Sequence, residues 1–364
     1  MAQLPATSER EQKILGIIET ARGKRPKFRD EQITMAHGAG GKATHSLIEG
    51  MFVPALGGGE LAAMADAGAV TVAGVELALT TDSFVVKPLR FPGGSIGELS
   101  VNGTVNDLAV AGARPVALSL SLILEEGLGA EVLRAEVAAI ASTAREAGVE
   151  IVAGDTKVVE RGHADGMYIC TTGIGRRDGR ATLSPAALRP GDRVLLSGTI
   201  GDHGTAIMLA RGEFELDAKI ESDTRSLWPA VAALLDAVGP QLRCLRDATR
   251  GGVASVLNEL ARSSAVAMLV DEASIPVEPA VAGAAEILGI DPMYVANEGK
   301  LVAFVAPDRA ETALAALRSV PGCEAAAEIG EVRTEPPGMV LVQTGFGGRR
   351  VMDQLVGDPL PRIC

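Results

Sequence analysis

Aromatic residues are scarce in this chain: seven Phe, two Tyr and one Trp among 364 residues. A core with so few large rings has to be filled by aliphatic and small side chains, as in α/β and α+β folds. Cysteine is equally sparse. Cys170, Cys244, Cys323 and Cys364 contain no C-x-x-C pair, which excludes a disulfide framework and leaves Cys364 as a free thiol. The four histidines have no zinc-ligand spacing. A basic-then-apolar leader is missing from "MAQLPATSEREQKILG". The most apolar stretch, Leu108 to Leu124, is interrupted by Arg114 and Pro115, so no membrane span is expected. Positive charge is in deficit: 34 Lys and Arg against 46 Asp and Glu give a net charge of −12. That argues against non-specific nucleic-acid binding, but not against a phosphorylated ligand held through a metal ion. These absences describe a reduced, cytoplasmic protein.

What is present is glycine, at 43 residues scattered through apolar segments, as in a chain with many tight turns. The length suggests two domains. Residues 1–30 read as a polar arm with a short helical pattern over Glu11–Thr20. A first α/β (α+β) domain is expected over 31–182, a second over 183–343, and an extended, Pro-rich tail over 344–364. In the first domain, "VELALTTDSFVV" (75–86) is a strand. "SIGELSVNGTVNDLAVAGARP" (95–115) is a helix opened by Ser95 and Glu98. "VALSLSLIL" (116–124) and "VEIVAGDTKVV" (149–159) are strands. Between them lies an amphipathic helix with Val137, Ile140, Ala141 and Ala144 on one face. In the second domain "DATRGGVASVLNELARSS" (247–264) is a Gly-rich turn into a helix, with Val253, Val256, Leu257, Leu260 and Ala261 inward.

The residues with chemical potential are mostly acidic. Asp82, Asp107 and Asp155 each sit in or beside an apolar segment, where an unpaired charge is costly. A cap, an ion pair or a metal would explain them, and three converging carboxylates would hold Mg²⁺ and a polyphosphate. "TDSFVVK" (81–87) echoes "GDTKVVE" (154–160), which would put Asp82 and Asp155 at equivalent strand ends. "HGAGGKAT" (37–44) is not a Walker A loop, but the backbone N–H groups of Gly38, Gly40 and Gly41 and the charge of Lys42 could cradle phosphate. Equally, it could be a plain flexible loop. Lys157 shares a strand face with Asp155. Glu298 and Lys300 fall in the turn "ANEGK", and His203 beside the Gly201 turn reads as a local feature.

Taken together, "HGAGGK", "LTTDSFVV", "GTVNDLAVAGARP", "VAGDTKVV", "DATRGGVASVLNE", "ANEGK" and the closing "PRIC" resemble the HypE family of hydrogenase maturation factors, in the right order over about residues 33–364. The more general pattern is similar to the wider ATP-binding superfamily of aminoimidazole ribonucleotide synthetase, selenophosphate synthetase and thiamine-monophosphate kinase. The resemblance implies an aminoimidazole ribonucleotide synthetase-like fold of two domains. It further implies a homodimer with a shared β-barrel and a flexible tail bearing the substrate cysteine.

The implied reaction is ATP-dependent dehydration of a carbamoyl group on Cys364 to a thiocyanate, the source of iron cyanide ligands. HypF would be the carbamoyl donor and a HypC–HypD complex the acceptor. Carried over residue by residue, Asp82, Asp107 and Asp155, with Asp247 as a fourth, would hold Mg²⁺. The same three aspartates, with Asn106, Gly38, Gly40, Gly41 and Lys42, would contact ATP. Lys157 and Glu298 would act at the thiocarboxamide, one as base and the other as electrostatic partner. Two other readings stay open. One is a superfamily enzyme that activates a free small molecule and is indifferent to loss of Cys364. The other is a carrier that presents the thiol without hydrolysing ATP.

Overall fold

The computed structural model describes residues 28–57, 59–212, 219–355 and 363–364. The helical pattern at Glu11–Thr20, most of the 1–30 arm, and Pro359, Pro361 and Arg362 of the tail lie outside these residues.

The first body is a five-stranded sheet with helices on one face. Its strands are β1 (Gly68–Val72), β2 (Val75–Phe84), β5 (Ala113–Glu125), β6 (Glu150–Val159) and β7 (Met167–Arg177). Two short strands, β3 (Arg90–Phe91) and β4 (Gly94–Ser95), form a separate ribbon. The sheet order is β1-β2-β7-β5-β6, with only β5 and β6 parallel. A parallel pair needs a long crossover, and the helix Ala130–Ala147 supplies it. The helix Ile96–Val110 starts where expected. The Ser95 side chain accepts from the Glu98 N–H, and this helix is buried nearly all round between the sheet, its neighbour helix and the second body.

The face of Ala130–Ala147 differs from the expected one. Ile140 and Ala144 are inside, but Val137 is exposed and Glu136 is buried instead. The reason is local: Glu136 Oε2 accepts from Gly97 N–H at 3.0 Å, in the first turn of the neighbouring helix, where a negative charge is favoured.

The second body is a seven-stranded mixed sheet built from β8 (Arg193–Leu196), β9 (Leu242–Asp247), β10 (Ala267–Asp271), β11 (Leu301–Val305), β12 (Ala327–Arg333), β13 (Val340–Gln343) and β14 (Arg349–Met352), in the order β14-β13-β10-β12-β8-β11-β9. Alternation along each strand feeds two cores. Val194, Leu196 and Phe304 pack with the helix Gly252–Ser263 on one side. Leu195, Leu301 and Ala303 pack with the helices Trp228–Val238 and Ala310–Arg318 on the other. Val253, Val256, Leu257, Leu260 and Ala261 face inward as expected.

Strand β14 lies in the stretch expected as tail. It pairs with β13 from Arg349 to Met352, so the sheet runs on well past residue 343. Ile363 is buried in a core cluster to which both bodies contribute. Among the described residues no helix is long and apolar enough to cross a membrane.

Candidate active site

The two bodies meet around two neighbouring cavities that share Arg250 and Cys364. The smaller, about 210 Å³, is lined by Asp66, Thr80, Thr81, Asp82, Gly103, Asp107, Asp247, Thr249, Arg250, Glu298 and Cys364. The larger, about 430 Å³, runs past Gly38, Ser83, Val85, Tyr168, Tyr294 and Ile363. Strand parity delivers the first acidic pair. Thr80, Asp82 and Phe84 alternate onto the helix-covered face of β2, opposite the helix that carries Asp107. Gly103 lets these elements approach: a Cβ there would stand 2.8 Å from the Phe84 ring and 3.6 Å from Asp82 Oδ2. Asp247 ends β9, and Glu298 lies in the turn that leads into β11.

The electrostatics of this cluster are those of carboxylates crowded together. Enclosure, then the charges of Asp247, Asp82 and Asp66, pushes Asp107 well above the ordinary carboxylate range. Burial and then Asp66 raise Asp247 to about 8. Glu298 is held well above its usual value by burial, then by Asp82, Asp223 and Asp247. Enclosure also raises Asp82, against the opposing pull of Arg250. Arg250 in turn is made a stronger base, first by the negative charge of Cys364 and then by Asp82 and Glu298. Thr80 Oγ1 lies 2.7 Å from Asp107 Oδ2 and 2.8 Å from the Asp66 carbonyl, tying the strand to the helix.

Asp82, Asp107, Asp247, Glu298, Cys364 and, in the larger cavity, Gly38 are thus brought together. Four expected residues have other partners. Asn106 Nδ2 donates to the carbonyls of Arg225 (3.0 Å) and Glu298 (3.2 Å), and its Oδ1 accepts from Leu227 N–H (2.7 Å). Its amide is engaged in holding the Glu298 turn rather than facing a ligand. The positive φ of Gly40 (74°) serves close packing: a Cβ there would be 2.9 Å from the Arg250 carbonyl oxygen, and one at Gly41 only 2.6 Å from that of Leu355. Lys42 Nζ is ion-paired to Asp353 at 2.7 Å.

Asp155 and Lys157 stand apart from the cavity within this chain. They are exposed on the edge strand β6 and paired to each other at 3.1 Å. The sheet register explains this. The row Asp82–Thr171–Leu120–Gly154 runs across the helix-covered face, so Asp155 falls in the next row, with Ser83, Cys170 and Ser121 on the open face.

Sequence reading also missed several residues. Asp223, in an irregular segment, accepts from Glu298 N–H (3.0 Å), Gly299 N–H (3.2 Å) and Lys300 Nζ (3.1 Å). Burial alone would raise its pKa, yet Lys300 and the Glu298 N–H hold it below the ordinary value. Arg250 stood in "DATRGG" without a role, and Asp66 and Thr80 gave no signal by themselves. His203 is not merely a turn residue: its Nε2 is 2.6 Å from the Ile363 carbonyl oxygen.

Comparison with known proteins matches the two bodies to AIR synthase related protein models, the N-terminal domain over residues 64–177 and the C-terminal domain over 189–342. A carbamoyl dehydratase HypE of Rhodobacter capsulatus is 47% identical over 339 residues, covering 93% of this chain and 99% of the relative. The chain belongs to the HypE family. Two solved HypE-family structures agree with the fold. One is a HypE–HypF complex, at 45% identity and TM-score 0.81, covering 85% of this chain and 99% of that one. The other is hydrogenase maturation protein HypE in complex with ATP, at 44% identity and TM-score 0.77, covering 92% and 100%.

Proposed function

We propose that this chain is an ATP-dependent carbamoyl dehydratase of hydrogenase maturation, and that Cys364 carries its substrate. The observation that carries the reading is the meeting of Cys364, Glu298 and four aspartates at one cavity. The family's HypE–HypF and HypE–ATP structures support a HypF-type carbamoyl donor and ATP as cosubstrate. The HypC–HypD complex would be the acceptor, and the cytoplasm the compartment.

Asp82, Asp107 and Asp247 fit a hard divalent cation. They are carboxyl oxygen donors, and burial and then neighbouring carboxylates raise Asp107 and Asp247 although Arg250 and Arg246 stand beside the cluster. Among the described residues no three His, Cys, Asp or Glu side chains form a finished metal cage. Magnesium suits such a site, because it commonly takes one or two carboxylates and completes its shell with water and phosphate oxygens. When bound, the ion would neutralise the polyphosphate. Arg250 offers the cavity its own positive charge, and the backbone at Gly38 a place for phosphate.

The oxygen of the Cys364 thiocarboxamide attacks the γ-phosphorus of ATP, and ADP leaves. The carbon–oxygen bond then breaks, phosphate departs, and the nitrogen loses both protons to leave S–C≡N. Glu298 is the base. Burial gives it the raised affinity for a proton that a base needs near neutral pH.

Lys157, with Asp155, reaches a site only across an interface. The open face of the five-stranded sheet exposes Val70, Val72, Val75 and Leu79, which the register puts on one side, and β6 has a free edge. A second copy covering this face would make the homodimer and supply Lys157 as the electrostatic partner. The test is mass spectrometry of the C-terminal peptide after carbamoylation and addition of Mg·ATP. The carbamoylated peptide is expected to lose one water only with ATP, and Cys364→Ala to give no product. Persistent carbamoyl-peptide in the presence of ATP would overturn the reading.

A further inference from the structure

Ile363 and Cys364 sit in a built receptor rather than against a bare surface. The Ile363 side chain is 5% exposed and belongs to a core cluster that includes Val86, Phe91, Ile207 and Ala296. Its carbonyl oxygen lies 2.6 Å from His203 Nε2, and a main-chain oxygen of Cys364 accepts from Val85 N–H at 2.9 Å. His203 is fully buried at the start of the helix Asp202–Ala210. A carbonyl only accepts, so Nε2 carries the hydrogen and Nδ1 accepts from the Ser222 hydroxyl at 2.8 Å. Phe91 meets the imidazole edge-on, with centroids 5.6 Å apart, and fixes the ring plane. Both imidazole nitrogens are thus committed, one of them to the main chain of Ile363.

We propose that His203 is a positioning residue for the dehydration: by holding the Ile363 carbonyl while the Ile363 side chain fills its pocket, it sets the Cys364 thiol at the cavity shared with Glu298. This rests on the reading of Cys364 as the substrate carrier. The device has a chemical purpose. A thiol that must be loaded by another protein and then converted at its own site needs a dock that holds it in one pose yet lets go. Two hydrogen bonds and one aliphatic side chain supply a hold that is specific yet reversible. Leaving the Ile363 carbonyl buried without a donor would weaken the docked state by a factor on the order of ten.

The experiment uses the full-length protein and compares wild type, His203→Leu, His203→Gln and Ile363→Ser. Two rates are read: iodoacetamide alkylation of Cys364, resolved by mass of the C-terminal peptide, and dehydration of pre-carbamoylated protein at saturating Mg·ATP. The expected result is Cys364 alkylation about tenfold faster in His203→Leu and Ile363→Ser. Dehydration should slow by a similar factor, with KM for ATP unchanged. Carbamoyl loading should be as fast as wild type or faster, and His203→Gln, which keeps an N–H donor, should be partly restored. Unchanged alkylation in both His203→Leu and Ile363→Ser would overturn the proposal, as would slowed dehydration without faster alkylation, which marks a purely structural histidine. If His203→Leu does not fold, Ile363→Ser decides alone. A wild-type protein that never dehydrates would refute the carrier reading, while the alkylation contrast would still report whether His203 docks the tail.

Discussion

Asp107 shows what a single carboxylate must do in this fold. It lies on a helix buried nearly all round, touches Thr80, and is crowded by Asp247, Asp82 and Asp66. Asp107→Asn and Asp82→Asn keep the shape and remove a ligand charge. Each is expected to weaken Mg·ATP binding at least tenfold, roughly the loss that even an outer-shell partner causes. Calorimetric titration checks this, and unchanged affinity in both variants would remove them from the metal site. Asp247 adds a pH dependence. Its pKa is about 8 in the folded chain against an ordinary 3.8, so between those values the folded protein holds a proton that the unfolded chain has shed. Stability of the ligand-free protein from this group is therefore full below about pH 4 and is lost as pH rises through about 8. A bound cation expels the proton, so Mg·ATP should stabilise more strongly as pH rises through the same window. Urea melts at several pH values, with and without Mg·ATP, check both signs. Asp82 and Asp107 were conspicuous as Asp inside apolar segments and do line the cavity, but the same signal at Asp155 points to a residue exposed on β6. Arg250, Asp66, Thr80 and Asp223 were not conspicuous, because each is an ordinary surface-type residue until the two bodies close around it.

At the scale of elements, the site depends on how closely β2 approaches the helix Ile96–Val110. Gly103→Ala would place a methyl 2.8 Å from the Phe84 ring, whose full burial leaves it little room to yield. Overpacking of this kind costs about 1–3 kcal/mol. It also shifts Asp82 relative to Asp107, so the variant should lose ATP affinity even at temperatures where it is fully folded. Denaturant titration and nucleotide titration on the same protein separate the two effects. The strands were readable from their apolar runs and this helix from its Ser95 cap, since a helix buried nearly all round has no single apolar face to show. The buried face of Ala130–Ala147 was misread because Glu136 is spent on another helix's first turn, which periodicity cannot show. The echo between "TDSFVVK" and "GDTKVVE" misled for a related reason. Both segments are strands, but a shift of one row in the register sends Asp82 and Asp155 to opposite faces.

For the whole molecule, the proposed second copy would account both for the exposed apolar residues on the open face of the first sheet and for the absence of Lys157 from the cavity that holds Glu298. If Lys157 acts across that interface, mixing Glu298→Gln with Lys157→Ala protomers should restore dehydration. Each mixed dimer then has one site with both residues intact. Turnover assays on mixtures refolded together check this, and mixtures as inactive as either parent would place the two residues in one chain or exclude Lys157. The central claim concerns the oxygen atom that ATP is spent to remove. It is tested most directly by loading Cys364 with a carbamoyl group bearing a heavy oxygen isotope and following the label through one turnover with Mg·ATP. Phosphoryl transfer to that oxygen predicts that the label appears in inorganic phosphate, in step with thiocyanate formation. Label released into water, with none in phosphate, would contradict the account.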